Sequence, residues 1–404
     1  MHYLKINKCR ICNNKKLFKY LDLGNQPLAN SFLKKSEILY EKKFPLQLLL
    51  CNRCFLSQLS VTVNPELIFS DYDYLSSSSK ALQNHYKKLC QFLIKKYHIK
   101  NQDTILDIGC NDGILLNQYP KKFLNLLGVE PSNACKFIKD KRIKLFNNFF
   151  SKEVAKKIHN KFNKAKVITM TNVLAHVHNV NDLVSNIKFL LDKKGIFVIE
   201  VPYLFDMLNK GLFDVIYHEH LSYFSIHSLN NLFERNGLKI IYYKQINFGA
   251  SGPAIRVIAT HKNKNLSKLM QKKLLIEKKN GIHVLKTYLN FSEKTKIITK
   301  KLRDRIIDLV LNKKNKIACY TAPAKGNTLL NSLNLPKNLI SYVSENNNKK
   351  IGKYTPGTHI KIVTDDFLIK KNIKYALLLS WNYKKFFLKK SLFIKKGGRF
   401  LIPF

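Results

Sequence analysis

Residues 104–113 read TILDIGCNDG, an apolar run that leads directly into a glycine-containing turn. The run has the length of a strand buried on both faces of a parallel sheet. Gly109 and Gly113 allow a tight turn and a close approach of the backbone to a ligand, and we expect the turn to open a helix. Such a turn after the first strand of an α/β sheet is the usual site for a nucleotide or an adenosyl group. The stretch therefore predicts an α/β domain that binds a cofactor.

Short apolar runs of the same kind continue along the chain. They end in polar residues or glycine and occupy residues 126–130, 167–170 and 196–200. Two further strands are expected at 239–243 and 254–259, and a helix at about 80–97 after the polar hinge 76–79. Strands of this kind with helical segments between them indicate a Rossmann-like α/β sheet.

Three positions around the turn bear on the choice of cofactor. Glu130 ends the second strand, where a carboxylate can bind both hydroxyls of a ribose. A dinucleotide site would prefer the spacing GxGxxG, whereas this turn runs Gly109, Asn111, Gly113. Asp107 before the glycine and the late strand pair favour a class I S-adenosylmethionine (SAM) methyltransferase over a dinucleotide enzyme. The predicted cofactor-binding residues are Asp107, Gly109, Asn111, Asp112, Gly113, Glu130 and Asn172.

Four of the eight cysteines form two CxxC pairs near the start of the chain. Cys9 and Cys12 make the first pair, Cys51 and Cys54 the second, with residues 13–50 between them. Two such pairs supply four thiolates, the tetrahedral set that zinc prefers. Because all four positions are filled by protein, we expect one structural Zn²⁺ rather than a catalytic one. Two unrelated buried pairs are the alternative.

The net charge of +45 comes from 71 basic residues, of which only eight are arginine, against 26 acidic residues. The lysines are spread over every segment, and lysine, asparagine and isoleucine share A/T-rich codons. A nucleic-acid-binding protein would cluster its basic residues and use arginine for base contacts. The composition therefore disfavours a nucleic-acid partner, while the charge favours a phosphate-bearing small substrate.

The chain divides into four predicted parts. Residues 1–71 form the zinc-binding domain, in irregular, turn-rich sequence, and residues 72–262 form the methyltransferase domain. A lysine-rich helical bridge covers 263–312, and 313–404 form a C-terminal Rossmann-like substrate-binding domain with strands near 317–320, 340–343, 360–363 and 376–379. No apolar run of about 18 residues and no signal-peptide pattern is present. We therefore expect a cytoplasmic protein without a membrane partner, as a monomer or a weak homo-oligomer.

A dense group of histidine, tyrosine and glutamate follows the predicted strands. Residues 217–220 read YHEH, and His176 lies just past the fourth strand. One histidine can act as a general base with its pKa tuned by the carboxylate. A metal site on His218, Glu219 and His220 is the rival hypothesis, although adjacent ligands give poor geometry and no HExxH pattern is present. The third hypothesis is that these residues are only polar residues of a loop.

Over nearly its full length the chain resembles the nucleotide-sugar C-methyltransferases, the sugar C-3 methyltransferase group of deoxysugar biosynthesis. The resemblance rests on motifs in a fixed order: the two CxxC pairs, the turn at 107–113, residues 172–176, and YHEH at 217–220. It continues with GASGPAIR at 249–256, APAKGNT at 322–328 and YTPGTHI at 354–360.

The resemblance implies a specific chemistry. A nucleotide-diphosphate-linked 4-keto-deoxysugar loses its C3 proton, and the resulting enolate carbon attacks the methyl group of SAM. By position, His220 matches the base and Glu219 and Tyr217 its neighbours. His176 matches a second active-site histidine, and Tyr74, with Tyr72 as the alternative, a tyrosine from the linker.

The resemblance also implies that the C-terminal domain helps to bind the nucleotide sugar. Lys325 and Asn327 stand at a strand-to-helix turn, where backbone N–H groups and a cation suit a diphosphate. Two other functions stay open at this point. One is O- or N-methylation of another sugar or small molecule, and the other is a zinc-containing protein that binds or modifies nucleic acid.

Overall fold

The computed structural model describes residues 2–69, 75–246, 252–262 and 267–404. Its N-terminal part contains two small antiparallel arrangements. In the first, β1 pairs with β5; in the second, β2 pairs with β3 and β3 pairs with β4. The elements are β1 (Tyr3–Lys5), β2 (Leu17–Pro27), β3 (Lys43–Cys51), β4 (Ser57–Leu59), β5 (Val61–Val63) and α1 (Pro65–Phe69). This part is more regular than predicted. Two register shifts in β2 disturb its alternation, which hides a long strand from the sequence pattern.

A seven-stranded sheet follows and confirms the predicted α/β architecture. Its strands are β6 (Ile105–Ile108), β7 (Leu126–Val129), β8 (Ile143–Phe146), β9 (Ala165–Thr171), β10 (Leu191–Pro202), β12 (Leu238–Ile246) and β13 (Ala254–His261). They lie in the order β12-β13-β10-β9-β6-β7-β8. The strands β6 to β10 are parallel, and β13 runs antiparallel to both β10 and β12. The strand order reverses at β6, so its carboxyl end is the expected place for a cofactor.

Helices cover both faces of this sheet. They are α2 (Lys80–Tyr97), α3 (Lys152–Phe162), α4 (Val180–Leu190), α5 (Leu204–Lys210) and α6 (Ile226–Arg235). Leu82 and Leu89 of α2 pack with Ile105 on one face, while Leu106 and Ile108 face α3 and α4 on the other. The prediction of a helix directly after the glycine turn is wrong, because that segment forms turns and a short 3₁₀ helix (Leu116–Gln118). Pro120 lies two residues further on and cannot continue a helix.

One short strand joins the N-terminal part to the rest of the chain. β11 (Ser222–Tyr223) pairs with β4, so that Ser222 lies opposite Gln58 and Tyr223 opposite Ser57. The four-stranded sheet β11-β4-β3-β2 therefore contains residues from both predicted domains.

The lysine-rich segment is helical, as predicted. It contains α7 (Lys268–Lys279), α8 (Leu285–Ile307) and a π-helical turn (Asp308–Asn312). Tyr288 of α8 is buried and packs edge-on against Tyr20 of β2 with ring centroids 5.0 Å apart. One hydrophobic cluster joins these residues to Phe213 and to Leu329 in the C-terminal part of the chain. The helices therefore hold the first and last parts of the chain against each other.

The C-terminal part is a five-stranded parallel sheet with the order β16-β15-β14-β17-β18. Its strands are β14 (Ile317–Tyr320), β15 (Val343–Ser344), β16 (Ile362–Val363), β17 (Tyr375–Leu378) and β18 (Arg399–Leu401). Its helices are α9 (Ala324–Leu333), α10 (Asp365–Lys370), α11 (Lys384–Lys390) and α12 (Leu392–Lys395). β18 is an addition to the four predicted strands. None of the helices within the described ranges has the length and apolar character needed to cross a bilayer.

Candidate active site and metal site

The four cysteines of the CxxC pairs meet in a buried cluster. Their sulfur atoms all lie within 4.8 Å of one another, with Cys9 Sγ 3.3 Å from Cys54 Sγ and Cys12 Sγ 3.5 Å from Cys51 Sγ. Zinc–sulfur bonds of 2.3 Å in a tetrahedron place the sulfurs about 3.8 Å apart. The sulfur positions therefore fit one Zn²⁺ held by four protein ligands, which makes the ion structural.

The two pairs share one backbone geometry. The residue that follows each second cysteine, Asn13 or Phe55, has a left-handed φ near +58° and donates its N–H to the carbonyl of the first cysteine. The N–H of Arg53 points at Cys51 Sγ over 3.4 Å. Each pair is thus a turn that directs two sulfurs to one point. The hypothesis of two unrelated buried pairs is excluded by this convergence.

The glycine-containing turn after β6 forms one end of a large cavity. Gly109 has φ +73°, and a Cβ there would lie 2.3 Å from Val173 Cγ2, so this position favours glycine. Glu130 directly follows β7 and accepts the N–H groups of Asn111 and Ser132 over 2.8 and 2.9 Å. Its carboxylate keeps lone pairs for two further donors, as ribose hydroxyls require. These residues fit the adenosyl part of SAM.

Asp107 is buried beside the turn and accepts a 2.6 Å hydrogen bond from the Thr169 hydroxyl. Burial raises the pKa of this carboxyl to about 7, against the lowering effect of that hydrogen bond. The side chain lies at the cavity wall with Gly109, Asn111, Glu130 and Asn172.

Asp112 and Gly113 are placed differently from the prediction. Asp112 is buried and accepts the backbone N–H of Ser77 over 3.0 Å, and Gly113 packs against Ile143. Neither residue is among those that line the cavity. Ser76 donates in the same way to the Asn111 side chain over 2.9 Å. The polar residues 76–79, predicted as a hinge, are therefore bonded to the cofactor turn.

The cavity continues from the cofactor turn to the predicted catalytic residues. Its volume is about 1810 Å³, and its wall includes His176, Tyr217, Glu219 and His220. Cavities for single drug-sized ligands measure roughly 300–1,000 Å³. This one has room for a nucleoside cofactor and a second ligand of similar size at once.

His220 is held in a defined tautomer. Its Nδ1 lies 2.9 Å from the Val215 carbonyl oxygen, so Nδ1 carries the hydrogen and donates it. Nε2 is then the basic nitrogen, and the Tyr217 hydroxyl lies 3.0 Å from it. The turn is closed by the His220 N–H, which donates to the Tyr217 carbonyl over 2.9 Å. The His176 ring lies edge-on to His220 with centroids 4.9 Å apart.

The buried surroundings keep both imidazoles neutral. Burial, with a smaller contribution from His176, lowers the pKa of His220 to about 3. Burial also lowers the pKa of His176 to about 4. Both imidazoles are therefore uncharged at neutral pH, and Nε2 of His220 carries no hydrogen and can accept the hydrogen bond of the Tyr217 hydroxyl.

Glu219 is buried between residues from three distant parts of the chain. It accepts a 2.6 Å hydrogen bond from the Asn30 side chain, and Lys350 is near enough to act on its charge. Burial raises the pKa of this carboxyl to about 7, opposed by the hydrogen bond of Asn30 and by Lys350. Neither Asn30 nor Lys350 stands in a motif, so no sequence pattern pointed to them.

The rival metal site in the YHEH motif is not formed. His218 Nε2 lies 3.3 Å from the carbonyl oxygens of Phe44 and Pro45, whereas Glu219 and His220 make the separate contacts described above. Among the described residues, only the four cysteines of the CxxC pairs form a group that could hold a metal ion.

Lys325 and Asn327, predicted to bind the diphosphate, are both buried at the start of α9. Lys325 lies on the cavity wall, with Nζ 2.7 Å from Asn382 Oδ1 and 3.9 Å from the centre of the Trp381 ring. Asn327 is outside the cavity lining and donates to the Ala29 carbonyl over 2.7 Å. Asn327 therefore fastens the N-terminal part to α9. Trp381 in turn donates to Asp214 over 2.6 Å.

The predicted linker tyrosine and the motif at 249–256 are described only in part. Tyr72 and Tyr74 lie outside the described residues, as do the first three residues of the motif at 249–256. The last residue of that motif, Arg256, forms a buried ion pair with Glu200 over 2.5 Å, and His85 Nε2 lies 2.8 Å from the same carboxylate. This network ties α2 to β10 and β13 beside the cavity.

Comparison with known proteins agrees with this arrangement. Three family models match in succession: a putative zinc binding domain over residues 9–69, a methyltransferase domain over 79–243, and a C-methyltransferase C-terminal domain over 249–404. The C-methyltransferase NovU of Streptomyces niveus is 28% identical over 401 residues, which cover 98% of this chain and 95% of that protein.

Two solved structures show partial similarity to this chain. A SAM-dependent methyltransferase from Anabaena variabilis is 17% identical with a TM-score of 0.35, covering 44% of this chain and 85% of its own. The CcbJ methyltransferase from Streptomyces caelestis is 11% identical with a TM-score of 0.35, covering 47% and 94%.

The sheet, the cofactor turn and the tetrathiolate cluster define a SAM-dependent methyltransferase with a structural zinc ion. Within this class, the C-methyltransferase model matches residues 249–404, and the similarity to the C-methyltransferase NovU extends over 98% of the chain. Together the three family models and the similarity to NovU support the sugar C-methyltransferase family that the motifs indicated.

Proposed function

We propose that this C-methyltransferase removes the C3 proton of a nucleotide-diphosphate-linked 4-keto-deoxysugar and methylates that carbon. The observation that carries the proposal is the basic Nε2 of His220, buried at the cavity wall and 3.0 Å from the Tyr217 hydroxyl. A carbon next to a ketone is a weak acid, and its deprotonation needs a positioned base together with a donor for the developing oxyanion.

The residues have distinct proposed tasks. His220 accepts the C3 proton at Nε2 while the C–H electron pair moves toward the ketone oxygen, and Nδ1–H stays bonded to Val215. Tyr217 is the proposed donor to that oxygen, and His176 packs against the base. Glu219 steadies the imidazolium form that results. Tyr217, Glu219 and His220 are buried, which limits the access of water to this end of the cavity.

The cofactor end of the cavity has a separate task. Gly109, Asn111, Glu130 and Asn172 are proposed to hold SAM, with Asp107 beside them. When bound, SAM supplies an electrophilic methyl group. Holding it in line with the C3 carbon converts a collision between two ligands into a reaction within one complex.

Solvent exchange tests the proposal. With S-adenosylhomocysteine bound, a 4-keto-deoxysugar nucleotide in D₂O should gain deuterium at C3 without methyl transfer, and the His220→Asn variant should show no such exchange. Methyl transfer to the substrate without exchange at C3 would instead indicate O- or N-methylation. The same base could deprotonate a hydroxyl, so the position of the transferred methyl group should be read by NMR.

A further inference from the structure

A short buried turn holds the backbone carbonyl to which His220 is bonded. Val215 is the last residue of the 3₁₀ turn Phe213–Val215, and its carbonyl oxygen lies 2.9 Å from His220 Nδ1. The hydrogen bond of one ring nitrogen of a histidine decides which of the two nitrogens carries the hydrogen. A displacement of this carbonyl would therefore change which nitrogen of His220 is basic and the direction in which it points.

Both neighbours of Val215 are bonded to residues from the C-terminal part of the chain. Trp381 donates its indole N–H to the Asp214 carboxylate over 2.6 Å. Thr328 of α9 donates its hydroxyl hydrogen to the Ile216 carbonyl over 2.9 Å. The side chains of Asp214, Ile216 and Thr328 are buried, so water cannot replace either donor at low cost. The two bonds therefore hold residues 214–216 in place on both sides of Val215.

The two donors lie behind the cavity wall. Neither Trp381 nor Thr328 is among the residues that line the cavity. The Trp381 ring packs against Phe404 with centroids 5.1 Å apart, and Phe404 packs against Phe213 over 5.7 Å. Both donors thus contact the turn and not the space for a ligand. An effect of either residue on turnover would have to act through residues 213–216.

We propose that Trp381 and Thr328 are positioning residues, through which the C-terminal part of the chain sets the tautomer and the direction of His220. The inference rests on the proposed function, since it takes His220 as the base. A reacting group that is misplaced by about 1 Å can lose about a hundredfold in rate. The cofactor turn at 107–113 has no part in these bonds. Loss of either donor should therefore act on proton removal and leave cofactor binding intact.

Thr328→Val tests the proposal, because valine keeps nearly the same shape and removes only the hydroxyl donor. We expect kcat, and with it deuterium exchange at C3 with S-adenosylhomocysteine bound, to fall about tenfold while KM changes by less than about twofold. Thr328→Ser keeps the hydroxyl and should restore the rate. The matched control is Thr295→Val, which removes a buried hydroxyl that donates to the Phe291 carbonyl over 2.9 Å within α8. This control should keep the wild-type kcat.

Trp381→Phe removes the second donor and should lower kcat to a similar extent. Its control, Tyr203→Phe, removes a hydroxyl that donates to another buried carboxylate, Glu277, over 2.6 Å. Calorimetric titration with S-adenosylhomocysteine should give wild-type affinity in every variant, which shows that the cofactor site is folded.

The tautomer of His220 can be read without any substrate, by nitrogen-15 NMR of histidine-labelled protein with the signals assigned from His220→Asn. The wild-type protein should carry the hydrogen on Nδ1. Thr328→Val and Trp381→Phe should each show a mixture of the two tautomers, because the acceptor of that hydrogen is no longer held.

Three outcomes overturn the inference. The first is wild-type kcat and C3 exchange in both Thr328→Val and Trp381→Phe. The second is a lowered kcat that Thr328→Ser does not restore, with the tautomer of His220 unchanged. The third is an equal loss of kcat in the two controls, which would indicate a general loss of stability. Mixed tautomers in the variants of a protein that exchanges no proton of the keto sugar would leave the positioning role standing and contradict only the proposed function.

Discussion

Replacing Cys51 by serine removes one of the four thiolates of the zinc cluster and should act on both stability and turnover. Structural zinc sites contribute about 10–16 kcal/mol of apparent binding free energy, or about 2.5–4 kcal/mol for each of four ligands. The four sulfurs here are all buried, so no water takes the vacant position at low cost. We therefore expect zinc content to fall below one ion per chain and the free energy of unfolding to fall by about 3 kcal/mol.

The effect should reach the active site through the N-terminal sheet. Cys51 ends β3, which pairs with β4, and β4 pairs with β11 directly after His220. Asn30, the hydrogen-bond donor to Glu219, belongs to the same part of the chain. Turnover should therefore fall at least tenfold, while affinity for S-adenosylhomocysteine should stay within a few-fold because Gly109 and Glu130 belong to the larger sheet.

Zinc content by atomic emission, calorimetric unfolding and titration with S-adenosylhomocysteine measure the three effects. The matched control is Cys135→Ser, a buried cysteine outside the cluster, for which we expect a loss of about 1 kcal/mol or less. A folded Cys51→Ser protein that lacks zinc but keeps the wild-type melting temperature and turnover would refute the structural role of the ion.

Three further predictions concern the cavity and its surroundings. His220→Asn should lower kcat about a hundredfold or more with S-adenosylhomocysteine binding unchanged, measured beside His261→Asn, which lies outside the cavity. The pKa of Glu219 is raised to about 7, so its carboxyl is neutral below that pH and charged above it. Turnover should rise as the pH increases through about 7, and Glu219→Gln should remove this rise; an unchanged profile would exclude Glu219 as its cause. Arg256→Met leaves the buried Glu200 without its 2.5 Å partner and should destabilise the protein by about 3–5 kcal/mol in urea unfolding; a loss below 1 kcal/mol would contradict a coupled network.

Much of the fold follows from local sequence signals. The runs around Ile105, Leu126 and Val167 are apolar because both faces of those strands are buried, and the two CxxC pairs converge as their spacing predicts. The long strand β2 was missed because its register shifts place exposed and buried residues out of alternation. β18 is only three residues long and begins with an exposed arginine, so it is too short to show a strand pattern.

The candidate site also contains some contacts that local sequence predicts and others that it does not. The proposed site residues Tyr217, Glu219 and His220 are neighbours along the chain, so one motif points to all three, and the packing of Tyr217 against His220 follows from one tight turn. The contact between Asn30 and Glu219 joins residues 189 positions apart. No local pattern encodes such a contact, because it depends on how the N-terminal sheet packs against the rest of the molecule. The contact of Asn327 with Ala29 could not be predicted for the same reason, because Ala29 is equally remote along the chain.

The pairing of β11 with β4 limits how this enzyme can be recombined with its relatives. A hybrid gene joined near residue 75 would take β2, β3 and β4 from one parent and β11 from the other. The pairing of β4 with β11, close to His220, would then join strands of different origin. Residues 222–223 and the N-terminal module therefore need to be inherited together. Hybrids that keep this pair from a single parent should retain turnover, whereas those that split it should bind cofactor and lose catalysis.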